Sequence, residues 1–259
     1  MPSASATVEV TETSLRRLVD IARLAGDAIL RSYRADSRVE VKGDGSPLTA
    51  ADRAANDIIV RALRAWTPGV PVVSEEETIP TIEERRRWQS FWLVDPLDGT
   101  KEFLSGNGEF TVNIALIANG EPVFSVVFAP ALGRCWYGGL GLGSWVDAPP
   151  GSATRLYSSV PVPGQSLVVV ESRSHPSDRL EQYLKTVPVS RRIRAGSSLK
   201  FCLLAEGKAD LYPRFGPTME WDVAAGDCIF RNSGRDGPRQ SSLVYNQPTL
   251  TNGDFVLGV

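Results

Sequence analysis

Histidine and cysteine, which often bind transition metals or act as nucleophiles, are scarce in this sequence. There are three cysteines and one histidine among 259 residues. Cys135, Cys202 and Cys228 lie far apart and show no C-x-x-C spacing, which argues against a zinc site and a disulfide framework. We interpret them as buried free thiols in a reducing compartment. The single His175 gives no basis for a Ser/His/Asp triad.

Excess positive charge and long apolar runs are also missing. The formal net charge is −2, so binding to nucleic acid or to an anionic membrane by bulk charge is not expected. No apolar run approaches the length of a membrane-spanning helix. Residues 1–13 are small and polar, without the apolar segment of a signal peptide, and are predicted to be a disordered tail. These features predict a cytoplasmic protein, free or peripheral at the inner face of the cell membrane.

The stretch 91–103 is the most informative part of the chain. It begins with a short apolar run, 91–94, which predicts a strand buried on both faces. Pro96 cannot donate a ladder hydrogen bond, so we expect the strand to end at Asp95. A second acid, Asp98, follows shortly after, next to a glycine that permits a sharp turn. The sequence therefore predicts two carboxylates beside a bend at the end of a rigid strand.

Asp95 and Asp98 form a candidate site for a divalent cation. Two close, buried carboxylates repel each other, and a cation such as Mg²⁺ relieves that repulsion because it prefers oxygen ligands. The carbonyl of Leu97 can supply a further oxygen. The backbone N–H groups of Gly99 and Thr100 can donate to an anion such as a phosphate. The alternative is a turn in which the aspartates cap their own backbone.

Three more acids are candidates for the same site. Residues 70–74 are predicted as a strand that delivers Glu75 at its carboxyl end, where ligands bind in α/β sheets. Asp52 ends the segment 49–52, a pattern typical of a capping box at a helix start. Asp222 lies in the first turn of a predicted helix, where a carboxylate favours the helix dipole. Capping and dipole roles alone would explain Asp52 and Asp222, so both interpretations stay open here.

The order of predicted elements indicates an α/β (α+β) protein. A first helix should run from its N-cap, Ser14, to about Tyr33. Asn119 and Gly120, between two alternating apolar runs, predict a β-hairpin.

Residues 148–164 are rich in proline, glycine and serine, which places a subdomain boundary there. We predict an N-terminal α+β subdomain at 14–160 that carries most of the metal ligands. A C-terminal α/β subdomain at 161–259 should contribute Asp222.

Four segments carry motifs that can be compared with a known family. They are Glu75 after a strand, residues 49–52, residues 95–100 with the pattern D-P-x-D-G-T, and residues 221–226 with the pattern W-D-x-A-A-G. Together they resemble the inositol monophosphatase superfamily of magnesium-dependent, lithium-sensitive phosphatases. Five further segments resemble the bacterial 3′(2′),5′-bisphosphate nucleotidase branch of that superfamily, namely 98–103, 107–115, 172–175, 196–203 and 211–218. The resemblance begins at about residue 14 and thins after Asp227.

The resemblance implies a fold, a cofactor and a substrate. The fold would be the layered α-β-α-β-α sandwich of sugar phosphatases. The cofactor would be two Mg²⁺ ions, with room for a third, looser ion near Glu75. The substrate would be a small phosphorylated nucleotide, 3′-phosphoadenosine 5′-phosphate, cleaved to AMP and phosphate. The implied metal ligands are Glu75, Asp95, the Leu97 carbonyl, Asp98 and Asp222.

Our mechanistic hypothesis is direct attack on phosphorus by a metal-bound water, with no protein nucleophile. Glu75 and Thr100 should orient that water, and Asp52 should hold Thr100 by accepting its hydroxyl proton. Asp98 completes the predicted catalytic group.

Substrate contacts are predicted in both subdomains. Ser198, Lys200 and Arg214 should bind the 5′-phosphate of the nucleotide, with His175 near the base or ribose. The remaining predicted contacts are Glu75, Leu97, Asp98, Gly99, Thr100 and Asp222. Three alternatives stay open: hydrolysis of inositol 1-phosphate at the same site, an aspartyl-phosphate mechanism on Asp95, and a non-catalytic metal- or nucleotide-binding module. The chain is expected to be a monomer or a homodimer.

Overall fold

The computed structural model describes residues 8–34, 39–41, 47–148 and 151–258, with side chains described in these ranges except at 34, 39–41 and 47–49. The predicted tail is only partly inside this range, because residues 1–7 lie outside it. The first helix, α1 (Glu12–Arg34), begins earlier than predicted. The N-cap prediction for Ser14 is wrong: Ser14 lies in the first turn, and its N–H donates to the Thr11 hydroxyl at 3.1 Å. Thr11 therefore satisfies the helix start that was assigned to Ser14.

A seven-stranded sheet follows the first two helices. A short antiparallel pair, β1 (Val39–Val41) and β2 (Pro47–Thr49), leads into α2 (Ala50–Trp66). The large sheet contains β3 (Val72–Ser74), β4 (Ser90–Asp98), β5 (Thr111–Ala118), β6 (Glu121–Ala129), β7 (Arg134–Gly139), β8 (Gly143–Asp147) and β9 (Ala153–Arg155), in that order. Strands β3 and β4 are parallel, and the other neighbours are antiparallel. Two short helices, α3 (Ile82–Arg85) and α4 (Thr100–Leu104), flank β4. The predicted hairpin is confirmed, with Asn119 and Gly120 both at positive φ.

Alternation along the strands gives this sheet two buried faces. On β4, Trp92 and Val94 belong to the core formed with α1 and α2. Phe91 and Leu93 face the opposite way, into a second core. All four side chains are at most 2% exposed. The prediction of a strand buried on both faces is therefore confirmed.

The second part of the chain completes the layers. Its elements are β10 (Leu167–Ser172), α5 (Asp178–Leu184), β11 (Val189–Ala195), α6 (Leu199–Ala205), β12 (Tyr212–Arg214), β13 (Thr218–Met219), α7 (Glu220–Arg231), β14 (Thr251–Asn252) and β15 (Phe255–Leu257). Helices α6 and α7 pack against each other, and α7 covers β4, β5 and β6. Behind them lie the parallel strands β10 and β11. Tyr183 and Leu184 of α5 pack on the outer side of β10. The layered α-β-α-β-α arrangement is as predicted.

Strand β4 does not end at Asp95, so that prediction is wrong. It continues to Asp98, with a break in its pairing to β5. Asp95 lies opposite Asn113, and Asp98 lies opposite Thr111. Pro96 falls inside the break, where its missing N–H costs no ladder hydrogen bond. The irregularity keeps both aspartates on a rigid strand rather than on a free loop.

A buried arginine and a buried glutamate fix the start of α7. Glu220 is fully buried and accepts the N–H groups of Asn246 and Gln247 at 2.7 and 2.8 Å. Arg85 is 1% exposed and donates to the Asn246 side chain at 2.7 Å and to the carbonyl of Pro248 at 2.9 Å. Residues 246–248 are therefore hydrogen-bonded to both Glu220 and Arg85. This matters for function because Glu220 lies two positions before Asp222.

We expect Glu220→Gln to lower the free energy of unfolding by about 2 kcal/mol, because the two N–H groups bind different carboxylate oxygens, one of which becomes an NH₂ group, and because Arg85 loses the charge of Glu220. Urea unfolding followed by circular dichroism measures this difference. The matched control is Asp178→Asn in α5, an exposed acid in the first turn of its helix. Equal stability of the two variants would contradict the role given to Glu220.

The segment where the resemblance thins is also held in place by charge. Arg231 donates to Asp227 at 2.8 Å and to the carbonyl of Leu243 at 2.7 Å. Tyr245 donates its hydroxyl to the same Asp227 oxygen at 2.8 Å. Asp227 is fully buried, so its charge requires these partners. Arg231 therefore connects α7 to the C-terminal segment.

Candidate active site

A cavity of about 260 Å³ opens where β3, β4 and α4 meet β12 and α7. Eight of the predicted site residues line it: Glu75, Asp98, Gly99, Thr100, His175, Lys200, Arg214 and Asp222. They come from both parts of the chain. The fold thus brings together acids and bases that are far apart in sequence.

The acidic side of the cavity is built around Asp95. One carboxylate oxygen each from Glu75, Asp95 and Asp222 lies within 4.8 Å of the others. Glu75 follows β3, and its N–H donates to the Val94 carbonyl of β4 at 3.2 Å, which extends the parallel pairing. Asp222 reaches the cluster from the first turn of α7. Acids that the sequence assigns to strand ends and to a helix start therefore lie together in the structure.

Burial and mutual repulsion make this cluster costly without a cation. Burial raises the pKa of Asp95 well above its usual range, and the charges of Glu75, Asp98, Asp222 and Asp52 raise it further. Burial also raises the pKa of Asp222 well above its usual value, with Asp98 as the next cause. Hard divalent cations favour this kind of all-oxygen environment. The residues present therefore fit a metal site.

Asp98 interacts electrostatically with the acidic cluster, and hydrogen bonds from the protein hold its carboxylate. Its Oδ2 accepts the Ser197 hydroxyl at 2.6 Å and the Asn113 amide at 3.4 Å. Burial raises its pKa, while the Lys200 charge and the Ser197 and Asn113 hydrogen bonds act in the opposite direction. One edge of this carboxylate is therefore already oriented by the protein.

The turn after Asp98 has the predicted form. Gly99 has φ 92° and precedes α4, which begins at Thr100. Leu97 is buried, and its N–H donates to Asp95 Oδ1 at 3.1 Å. Because Gly99 adopts the left-handed region, a residue with a side chain there would be strained.

Asp52 lies in the first turn of α2, and its side chain is 4% exposed. Its charge is one of those that raise the pKa of Asp95. The capping partner assigned to it, Thr49, lies outside the residues whose side chains are described. The predicted hydrogen bond from Thr100 to Asp52 stays a prediction.

Basic groups form the other side of the cavity. Lys200 is 7% exposed and donates to the Ser197 carbonyl. Arg214 donates to the Pro217 carbonyl at 3.3 Å, and its Nε is buried without a partner among the described residues. His175 lies between the Ser172 hydroxyl at 3.2 Å and the Lys101 ammonium at 3.3 Å.

The surroundings of His175 favour its neutral form. Burial lowers its pKa, and the charges of Lys101, Arg214 and Lys200 lower it further. Burial also lowers the pKa of Lys200, although Asp98 opposes that change. A cavity with three positive groups and a neutral imidazole is suited to an anionic ligand.

Ser198 does not occupy the place predicted for it. Its side chain is 1% exposed, donates to the Asp222 carbonyl at 2.7 Å and accepts from the Asn113 amide at 3.0 Å. Ser197 lines the cavity instead, with φ 50°. The left-handed backbone at Ser197 turns neighbouring serines in different directions. The sequence prediction named Ser198 as a phosphate contact, whereas its neighbour Ser197 is the serine that lines the cavity.

Comparison with known proteins identifies the family of this chain. The model of the inositol monophosphatase family matches residues 10–248. The chain belongs to the inositol monophosphatase family. The predictions of this family and of a phosphatase are therefore confirmed, and members of the family depend on metal ions. Among the described residues, no helix is long and apolar enough to cross a membrane.

Relatives within the inositol monophosphatase family carry a more specific name. The chain is 50% identical over 217 residues to the 3′(2′),5′-bisphosphate nucleotidase CysQ of Salmonella typhimurium, covering 83% of this chain and 86% of that protein. It is 47% identical over 222 residues to CysQ of Escherichia coli K12, covering 85% and 88%. The crystal structure of CysQ from Bacteroides thetaiotaomicron superposes with a TM-score of 0.80 at 37% identity, covering 96% and 97%.

Proposed function

We propose that this chain is a Mg²⁺-dependent 3′(2′),5′-bisphosphate nucleotidase that converts 3′-phosphoadenosine 5′-phosphate to AMP and phosphate. One observation carries the proposal: the acids Glu75, Asp98 and Asp222 line the same cavity as the basic groups Lys200 and Arg214. The acids suit cations at the phosphate to be cleaved. Lys200 and Arg214 suit a second phosphate on the same substrate, which an inositol monophosphate lacks. The names of the CysQ relatives support the same substrate class.

The residues that would hold two Mg²⁺ ions are Glu75, Asp95, Asp98, Asp222 and the carbonyl of Leu97. When bound, the cations would supply an activated water and neutralise charge on the leaving oxygen. Three acids with oxygen atoms within 4.8 Å of one another support this assignment. Burial and neighbouring acids raise the pKa of Asp95 and of Asp222 well above the usual range, which supports compensation by cations.

The protein groups then have separate tasks. Glu75, the exposed acid of the cluster, can accept a proton from the attacking water. The Thr100 hydroxyl orients that water, and the N–H groups of Gly99 and Thr100 hold the phosphate undergoing cleavage. Ser197, Lys200 and Arg214 bind the second phosphate, with Ser197 in the place first assigned to Ser198. His175 presents a neutral ring to the ribose or base.

Phosphate release from three substrates at saturating Mg²⁺ tests this function. We expect kcat/KM to be highest for 3′-phosphoadenosine 5′-phosphate, lower for 3′-AMP and lowest for inositol 1-phosphate. The order follows because 3′-AMP lacks the group that Lys200 and Arg214 would bind, and inositol 1-phosphate also lacks the nucleoside. A preference for inositol 1-phosphate would contradict the proposal, and no release from any substrate would favour a binding module.

A further inference from the structure

A chain of buried polar side chains joins the two halves of the acidic cluster. Asn113 lies on β5 opposite Asp95 and is 1% exposed. Its amide nitrogen donates to Asp98 at 3.4 Å and to the Ser198 hydroxyl at 3.0 Å. The Ser198 hydroxyl in turn donates to the backbone carbonyl of Asp222 at 2.7 Å. Asp98 of β4 and Asp222 of α7 are thus linked through two side chains.

The other side of Asn113 is held just as firmly. Its carbonyl oxygen accepts the Thr111 hydroxyl at 2.9 Å, which fixes the orientation of the amide. Thr111 is fully buried and also contacts the Ser197 hydroxyl. Because both ends of the amide have partners, Asn113 cannot rotate without losing hydrogen bonds in a region closed to water.

We propose that Asn113 and Ser198 are positioning residues that set the separation of Asp98 and Asp222 for cation binding. This inference rests on the metal site of the proposed function. Neither side chain needs to touch the cation or the substrate. Their contribution is to fix the position of α7 relative to the end of β4. The carboxylates from the two parts of the chain are then already oriented for the cation. Partners of this kind around metal ligands commonly change metal affinity by about 10- to 100-fold when removed.

The sequence around these residues explains why the link is hard to see beforehand. Asn113 is in the middle of an apolar strand, where an amide is costly unless each of its groups is paired. Ser198 directly precedes α6 and resembles an ordinary cap, yet it makes no side-chain cap hydrogen bond to that helix. Its hydroxyl is directed instead to α7. The link to Asp98 and Asp222 explains why these two buried positions carry polar side chains.

Ser125 provides a matched control for Ser198. It is fully buried on β6, and its hydroxyl donates to the Ala225 carbonyl of α7 at 2.9 Å. Both serines therefore bind a backbone carbonyl of the same helix. Only Ser198 also contacts Asn113 and, through it, Asp98. Replacement by alanine removes the same atoms in both places.

The experiment follows thermal unfolding of the full chain during titration with Mg²⁺ alone, after treatment with EDTA. For Ser198→Ala we expect the Mg²⁺ concentration at half-maximal stabilisation to rise about tenfold relative to wild type. For Ser125→Ala we expect a lower melting temperature at every Mg²⁺ concentration but an unchanged midpoint. Equal midpoints for Ser198→Ala and wild type, or equal rises in both serine variants, would overturn the inference.

Asn113→Ala supplies a second probe if Ser198→Ala does not fold. Its midpoint should also rise, and the double variant should rise no more than the worse single variant, because both residues act in one chain of hydrogen bonds. Additive rises would contradict a shared link. A wild-type protein without any Mg²⁺-dependent stabilisation would overturn both the metal site and this inference. If the Mg²⁺ midpoints change in the variants as expected but the nucleotide is not cleaved, only the proposed substrate is overturned.

Discussion

Asp95→Asn should lower kcat for the preferred phosphate ester by about 1,000-fold, which corresponds to about 4 kcal/mol of activation free energy. Asp95 is at the centre of the acidic cluster and is 2% exposed. The amide has nearly the same shape, so the loss would come from missing charge and weakened cation binding rather than from a cavity. Steady-state phosphate release across a Mg²⁺ titration measures the effect. A decrease that saturating Mg²⁺ fully restores would reveal weaker binding alone.

The same variant should be more stable than wild type when both are free of metal. The unfolded Asp95 carboxyl has a pKa of about 3.9, while burial and the neighbouring acids raise its folded pKa well above that. As the pH rises between these two values, the unfolded chain loses the proton first, so the stability of the metal-free wild type falls. Asp95→Asn removes this ionisation, so the stability of the metal-free variant should fall less as the pH rises. Thermal unfolding in EDTA at several pH values gives the comparison.

Asp57→Asn is the control for both measurements. Asp57 is on α2, its side chain is 69% exposed, and its contact with Arg61 is 3.9 Å long. Removing that charge should leave activity and metal-free stability close to wild type, because exposed ion pairs contribute little. An equal gain in metal-free stability in Asp57→Asn and Asp95→Asn would show that net charge, not the buried cluster, controls the result, because both variants lose one negative charge.

Local chemistry made the acidic side of the site predictable. Asp95 and Asp98 follow an apolar run, and Glu75 follows a neighbouring strand, so strand periodicity alone brings them to one edge of the sheet. Asp222 was different, because a helix-dipole role explained it equally well. Its place in the cluster depends on how α7 packs against β4, a contact between residues far apart in the chain. The motif resemblance, not spacing, supplied that connection.

What could not be predicted was the direction of individual side chains where the backbone is irregular. The prediction that β4 ends at Asp95 overlooked a pairing break that accommodates Pro96 within a longer strand. The assignment of Ser198 failed because Ser197 adopts a positive φ that few residues with side chains favour. Lys101 was also missed as a cavity residue, although it follows Thr100 directly. Each case depends on tertiary contacts that a linear pattern does not contain.

The basic side of the cavity leads to a second large effect. Arg214→Met should lower kcat/KM for 3′-phosphoadenosine 5′-phosphate by about 100-fold, because a guanidinium beside a desolvated phosphate is worth about 2–5 kcal/mol. Arg214 lines the cavity, and among the described residues its guanidinium makes one hydrogen bond, to the Pro217 carbonyl at 3.3 Å, so further donors remain for a ligand. The methionine keeps most of the apolar stem, which limits the loss of packing.

The substrate comparison decides what Arg214 does. On 3′-AMP, which has no 5′-phosphate, Arg214→Met should act almost as well as wild type. The matched control is Arg179→Met, whose guanidinium lies 5.3 Å from the Phe215 ring and pairs with Asp254, with its side chain 63% exposed. Arg179→Met should leave both substrates unaffected. An equal loss on both substrates for Arg214→Met would place Arg214 at the phosphate being cleaved, because only a contact shared by the two substrates weakens both.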